Sequence, residues 1–173
     1  MAQMDHLRRI RFWLAVFMAG LILSGSTAFP LQSEIRLLDA ALHTSPLQSV
    51  ASSTGLLRWI DRVSYGLTQT NANYPFLAYG TDWLAFAHLV IAVAFLGPYI
   101  DPVRNKWVVT FGLIACAGVI PLALVAGPIR GIPLGWRLID CSFGVVGSIP
   151  LVLCRRHILA LEQETTVSMT PAA

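Results

Sequence analysis

Six side chains in this sequence could do chemistry inside otherwise apolar stretches: Ser24 and Thr27, Asp82 and His88, and Arg137 and Asp140. An imidazole, two carboxylates, a guanidinium and two hydroxyls suit a proton-transfer site or a small-ligand site. An ionisable residue in a membrane-spanning segment is a functional candidate by default. Asp or Arg at the centre of such a segment costs about 2.5 to 3.5 kcal/mol on insertion scales, so these residues pair with one another or face water. Arg137 and Asp140 are three residues apart on one helical face and can pair. His88 can donate to Asp140 from a neighbouring helix. The competing reading is polar glue between helices, close to an interface where the penalty is smaller and snorkelling is easy.

His88 and Asp140 are the candidates for catalytic proton transfer. Ser24, His88 and Asp140 also have the composition of a nucleophilic triad, but no G-x-S-x-G elbow marks the serine, and only geometry defines a triad. No metal site is expected, because the sequence has no H-x-x-x-H or C-x-x-C spacing and a closed zinc site needs four converging ligands. The cofactor is unknown. Haem would use His88, the one histidine inside an expected span, with His43 as second axial ligand if the first loop folds down over the bundle. His6 and His157 lie at the opposite end. Cys116, Cys141 and Cys154 are isolated and read as small apolar fillers, which sets the chain apart from four-helix enzymes that pass disulfide electrons to quinones.

The elements that must position these groups are set by composition. Of 173 residues, 55% are hydrophobic and 12% charged, with a mean hydropathy of +0.66; soluble domains carry about 25% charge. A net charge of +3 without a basic stripe excludes nucleic acid as a partner. Crossing a hydrocarbon core takes about 20 apolar residues. Spans are expected at about 12–29, 83–100, 107–126 and 132–153, all in one domain covering 1–173. Pro98, Asp101, Pro102 and Asn105 punctuate one connection, and Gly127, Pro128, Gly131 and Pro133 the next.

Arg8, Arg9, Arg11, Arg104, Lys106, Arg155 and Arg156 fall on one side of four such spans, against Arg36, Arg58, Arg62, Arg130 and Arg137 on the other. The positive-inside effect puts the first set, both termini and the 157–173 tail in the cytoplasm, and residues 31–80 outside. The expected location is a cytoplasmic (inner or plasma) membrane. Trp83, Trp107, Trp136, Tyr79 and Tyr99 sit where interfacial aromatics belong. The basic start, apolar run and Ser26-Thr27-Ala28 also have the shape of a cleavable secretory signal, which would leave three spans; Phe29 and Pro30 after the site argue against cleavage.

The long first loop carries two apolar stripes at helical spacing: Ile35, Leu38, Leu42, and Leu56, Ile60, Val63, Leu67. Two amphipathic helices follow, separated at Pro46, with Thr54 or Ser53 capping the second. They would cover the helix ends or dock a partner. The expected fold is an all-α integral membrane protein, a four-transmembrane-helix bundle with two amphipathic helices in its first extracytoplasmic loop. By helix rise, His88 lies about 9 Å inward of Asp82, Ser24 about 9 Å inward of Pro30 and Asp140 about 6 Å inward of Trp136. Each shares a face with small residues: Gly20, Ser24 and Thr27; Thr81, Ala85, His88 and Ala92; Arg137, Asp140, Gly144 and Gly147. Small residues let membrane helices approach, so these faces should meet.

The expected role is a non-catalytic membrane subunit or a protein that binds lipid or another small ligand at a polar outer-leaflet site. Membrane lipid, a second membrane protein or further copies of the chain are the expected partners. The alternatives are a membrane-embedded enzyme using His88 and Asp140, and a haem redox protein. Pro98, Pro121 and Pro150 could kink helices for transport, yet four spans without an inverted repeat leave no alternating-access pore in one protomer.

Overall fold

The computed structural model describes residues 2–44, 46 and 48–169. The chain is all-helical, 90% helix, with no strand among the described residues. Four stretches are long and apolar enough to cross a membrane: Gln3–Ala28, Pro75–Ile100, Lys106–Ile129 and Leu134–Glu164. The elements are α1 (Ala2–Ala28), α2 (Leu31–Thr44), α3 (Gln48–Ser53), α4 (Leu56–Asn73), a 3-10 turn (Pro75–Ala78), α5 (Tyr79–Ala94), α6 (Leu96–Ile100), α7 (Lys106–Ile129) and α8 (Leu134–Met169). The helices outrun the apolar segments that announce them. The basic segment before Phe12 continues α1, and α8 runs on past Leu153. The polar tail after His157 reads from sequence as a short helical continuation that frays; it continues α8 as far as Met169, and residues 170–173, where fraying would fall, lie outside the described residues.

The second apolar segment is broken rather than continuous. Pro98 has no N–H to give the carbonyl of Ala94, and α5 ends at Ala94. Pro98 itself sits buried in α6. The chain then turns at Asp101, whose Oδ1 accepts the Arg104 N–H at 3.1 Å, while Asn105 Nδ2 donates to the Gly97 and Asp101 carbonyls. At the other end, α7 closes on Gly131 with φ 69°. The Ile132 N–H bonds the Gly127 carbonyl and the Gly131 N–H bonds that of Pro128. This is a glycine C-cap that reverses the chain into α8.

Packing runs α5, α1, α8, α7 in order across the bundle. The core lies toward the end that carries both termini of the helical array: Ile10 and Leu14 of α1, Phe95, Val109 of α7, and Leu151, Cys154 and Ile158 of α8. Phe95 is fully buried and draws the row together, with its ring 4.7 Å from that of Phe17. Gly112 has no room for a Cβ because Phe95 and Leu151 close over it. At this terminal end Arg11 lies over the Tyr99 ring, Lys106 pairs with Glu162 at 2.8 Å, and His6 meets His157 at 3.0 Å.

The opposite end is covered by a helical cap. α2 and α3 both pack on α4, joined by Leu42, Ala51 and Ile60 and extended by Trp59 and by Trp136 of α8. Ile35, Leu42 and Ile60 are the buried positions of the two expected stripes, but Leu38 is 39% exposed. The expected cap at Ser53 or Thr54 does not form. Thr54 Oγ1 bonds back to the Val50 carbonyl at 2.8 Å, finishing α3, and left-handed Gly55 (φ 75°) starts α4. Over its 18 residues α4 extends about 27 Å. It starts beside the α7–α8 turn and ends beside α5, so it straps the mouth of the bundle.

Candidate functional site

The six polar residues do not converge. α5 and α8 are separated by α1, so His88 and Asp140 lie on different seams. His88 sits on the α1–α5 seam, where its Cβ would stand 3.0 Å from a Cβ built on Gly25. Its Nδ1 bonds the Leu84 carbonyl one turn back at 2.8 Å. The expected His88–Asp140 bond is absent. Arg137 and Asp140 lie on the α7–α8 seam; the Arg137 stem presses on Gly127, and Gly144, one turn beyond Asp140, meets the Cys116 carbonyl. No ion pair joins Arg137 and Asp140 among the described residues, and Arg137 Nε is buried without a hydrogen-bond partner.

The small-residue faces fare unequally. Ala85 and Ala92 are buried against α1 as the α5 face requires, and Gly144 and Gly147 meet α7 through Cys116. On α1 the contact face is different from the expected one. Gly20 has nothing near it and Ser24 is exposed, whereas Gly25 is buried; a Cβ there would stand 2.9 Å from the Ala85 carbonyl oxygen. One residue along a helix is a rotation of about 100°, and the tighter seam wins because backbone approaches backbone at Gly25. Thr27 spends its hydroxyl on the Ser24 carbonyl at 3.2 Å. Among the described residues Asp82 makes no hydrogen bond or ion pair, and it lies in the first turn of α5, where a carboxylate complements the helix dipole.

Ser24, His88 and Asp140 are not hydrogen-bonded to one another, and His43 turns its ring to Asp39 and Asp61 in the cap. Its pKa is raised, first by its bond to the Asp39 carbonyl, with desolvation opposing and the charges of Asp61 and Asp39 adding.

Two clefts flank the strap. The first, about 190 Å³, lies where the start of α4 meets the α7–α8 turn, between Trp59, Pro133 and Trp136. The second, about 310 Å³, lies between the α1–α2 corner, the end of α4 and the start of α5. Its wall alternates apolar Phe29, Leu67 and Leu77 with polar Gln32, Asn71 and Thr81. Asn71 Nδ2 donates to Gln32 Oε1 at 2.7 Å, Gln32 Nε2 donates to Thr68 Oγ1 at 3.4 Å, and Thr81 Oγ1 donates to the Ala78 carbonyl at 2.6 Å. Asn71 Oδ1 and the Ser33 and Thr70 hydroxyls keep no protein partner among the described residues. The lining mixes polar and apolar side chains and carries no charged one.

Sequence reasoning missed this lining, because Gln32 and Asn71 lie 39 positions apart in the loop and carry no motif. The visible signal was their place beside Pro30 and Pro75, where the chain enters and leaves the loop. It also missed Asp39, His43 and Asp61, whose ligand atoms converge across α2 and α4; a D-x-x-x-H spacing announces the first two. Comparison with family models, with curated proteins and with solved structures finds no match to this chain.

Proposed function

We propose that the protein is a four-span, non-catalytic component of a cytoplasmic membrane. Both termini are cytoplasmic, and the α2–α4 cap lies on the outer face, where the cleft beside α5 holds the headgroup of a lipid-like amphiphile. Only 17% to 22% of each apolar window is buried within the chain. Large side chains such as Phe86, Val93, Leu122, Phe143 and Val146 stand more than half exposed along α5, α7 and α8. Patches of that extent need lipid or a partner around them. Arg8, Arg9, Arg11, Arg104, Lys106, Arg155 and Arg156 belong to the terminal end, which supports its cytoplasmic placement.

The single observation that carries the ligand reading is the composition of the 310 Å³ cleft. Free hydroxyls and an amide acceptor at its polar wall, with apolar Phe29, Leu67 and Leu77 beside them, match a headgroup above an acyl chain. Small-molecule sites combine an apolar wall with a few placed polar groups in this way. The absence of charge from the lining favours a neutral or zwitterionic headgroup. His88 and Asp140 lie on separate seams and take no part in the amphiphile site in this reading.

A photoreactive phosphatidylethanolamine in nanodiscs tests it. Crosslinks should concentrate in peptides covering residues 29–33 and 67–81. Crosslinks spread evenly along the lipid-facing sides of α5 and α7, with none enriched at the cap, would refute it.

A further inference from the structure

The cap holds a second arrangement that the amphiphile reading does not use. Asp39 and His43 are one turn apart on α2, so both project from one face. Asp61 projects from α4 opposite them. One ligand atom from each residue lies within 4.8 Å of the other two. His43 Nδ1 bonds the Asp39 backbone carbonyl at 2.9 Å. That bond fixes the ring and leaves Nε2 to point across the seam, where it lies 3.5 Å from Asp61 Oδ1. A histidine that donates one ring N–H to a carbonyl and offers the other nitrogen is the usual form of a metal-ligating imidazole.

The spacing fits a small divalent ion. With zinc–ligand bonds of about 2.0 to 2.1 Å, two ligand atoms of a tetrahedron stand about 3.3 to 3.4 Å apart, close to the separation of Nε2 and Oδ1. Asp39 supplies an independent sign of an unfilled place: its Oδ1 is shut off from solvent yet accepts no hydrogen bond. His43 Nδ1 lies 3.3 Å from that oxygen, but its closer bond is to the Asp39 backbone carbonyl at 2.9 Å.

We propose that Asp39, His43 and Asp61 form a site for a divalent transition cation of the zinc class, with water in the fourth position, which pins α2 to α4. One imidazole and two carboxylates suit such an ion, and the three-ligand set with an open position is that of exchangeable zinc. The site faces the aqueous side of the cap, with His43 and Asp61 near half exposed, so the ion can enter without crossing the bundle. An ion held by both helices and absent from the unfolded chain stabilises the cap in proportion to its occupancy.

The test uses full-length protein in detergent micelles, stripped with chelator and then titrated with zinc chloride by calorimetry and thermal unfolding. One zinc per chain should bind and raise the unfolding temperature. His43→Gln and Asp61→Asn should each weaken binding at least about tenfold, the scale on which disturbed metal sites lose affinity. Glu34→Gln, which removes a carboxylate from the same helix outside the cluster, should bind as the parent does. Cobalt in place of zinc should give the visible absorption of a tetrahedral site, a signal that a mere loss of cap stability does not produce. Because His43 and Asp61 are near the surface, the stripped variants should unfold close to the stripped parent. Parent protein that takes up no zinc, or variants that bind it with unchanged affinity, would overturn the proposal.

Discussion

Replacing Gly144 by alanine tests the tightest seam in the bundle. A Cβ built there runs into the backbone carbonyl oxygen of Cys116 on α7, with Val119 Cβ at 3.4 Å beside it. The obstacle is backbone, which no rotamer change moves aside. Restoring ordinary contact needs α7 and α8 to separate by about 1 Å, which forfeits a large share of the dispersion energy along the seam. Gly147 on Cys116 and Gly127 under Arg137 are the other close contacts that such a separation loosens. Overpacking of this kind costs about 1 to 3 kcal/mol. Alanine's better helix propensity returns about 0.8 to 1 kcal/mol, leaving Gly144→Ala anywhere from near neutral to about 2 kcal/mol less stable. Gly118, on α7 with nothing within 4 Å, isolates the propensity effect. The difference between Gly144→Ala and Gly118→Ala is therefore the overpacking alone, about 1 to 3 kcal/mol. Equilibrium unfolding of both variants in mixed detergent micelles measures it. Equal stabilities would refute the close α7–α8 approach.

Phe95→Ala empties the place where α1, α7 and α8 meet and should cost about 3 kcal/mol in the same assay, the lower end of the range for buried aromatics because detergent replaces water around the separated helices; a loss under about 1 kcal/mol would contradict its central position. His88→Ala and Asp140→Asn should each accumulate with unchanged helicity, since among the described residues the side-chain bond at stake is that of His88 to the Leu84 carbonyl; failure of either to accumulate would show that it glues the bundle. With chelator present, the cap should lose protection as pH rises. His43 is raised above 6.5 in the folded chain, so the folded cap binds the proton more tightly than the unfolded one. Its contribution is complete below pH 6.5 and disappears as pH passes the raised value. Amide exchange in α2 and α4 reads this directly, and protection that holds or grows toward higher pH would contradict it.

Apolar runs of about 20 residues make four long helices legible without coordinates, and Pro98 and Gly131 mark where they break or reverse. The start of α1 was not legible, because hydrophobicity reports only the apolar stretch and α1 begins in charged sequence, whereas the polar tail after His157 did read as a continuation of α8. Rotation was less legible still. Ser24 and Gly25 differ by one position, and a small-residue pattern that includes both cannot say which faces α5; only the backbone approach to Ala85 decides it. Equal depth likewise suggested that His88 and Asp140 meet. Depth is one coordinate of three, and the order of helices across the bundle, which puts α1 between them, is not written in any one helix. The cleft and the Asp39–His43–Asp61 cluster arise from contacts between α2 and α4, whose pairing depends on how the loop folds over the mouth.

Native mass spectrometry of full-length protein released from mild detergent tests the amphiphile site most directly. The parent should retain one amphiphile per chain, and Asn71→Leu, which removes the amide that bonds Gln32 at 2.7 Å and its free acceptor, should lose most of it while keeping its helicity. A parent that flies bare, or an Asn71→Leu variant that keeps the same adduct in the same proportion, would contradict the account.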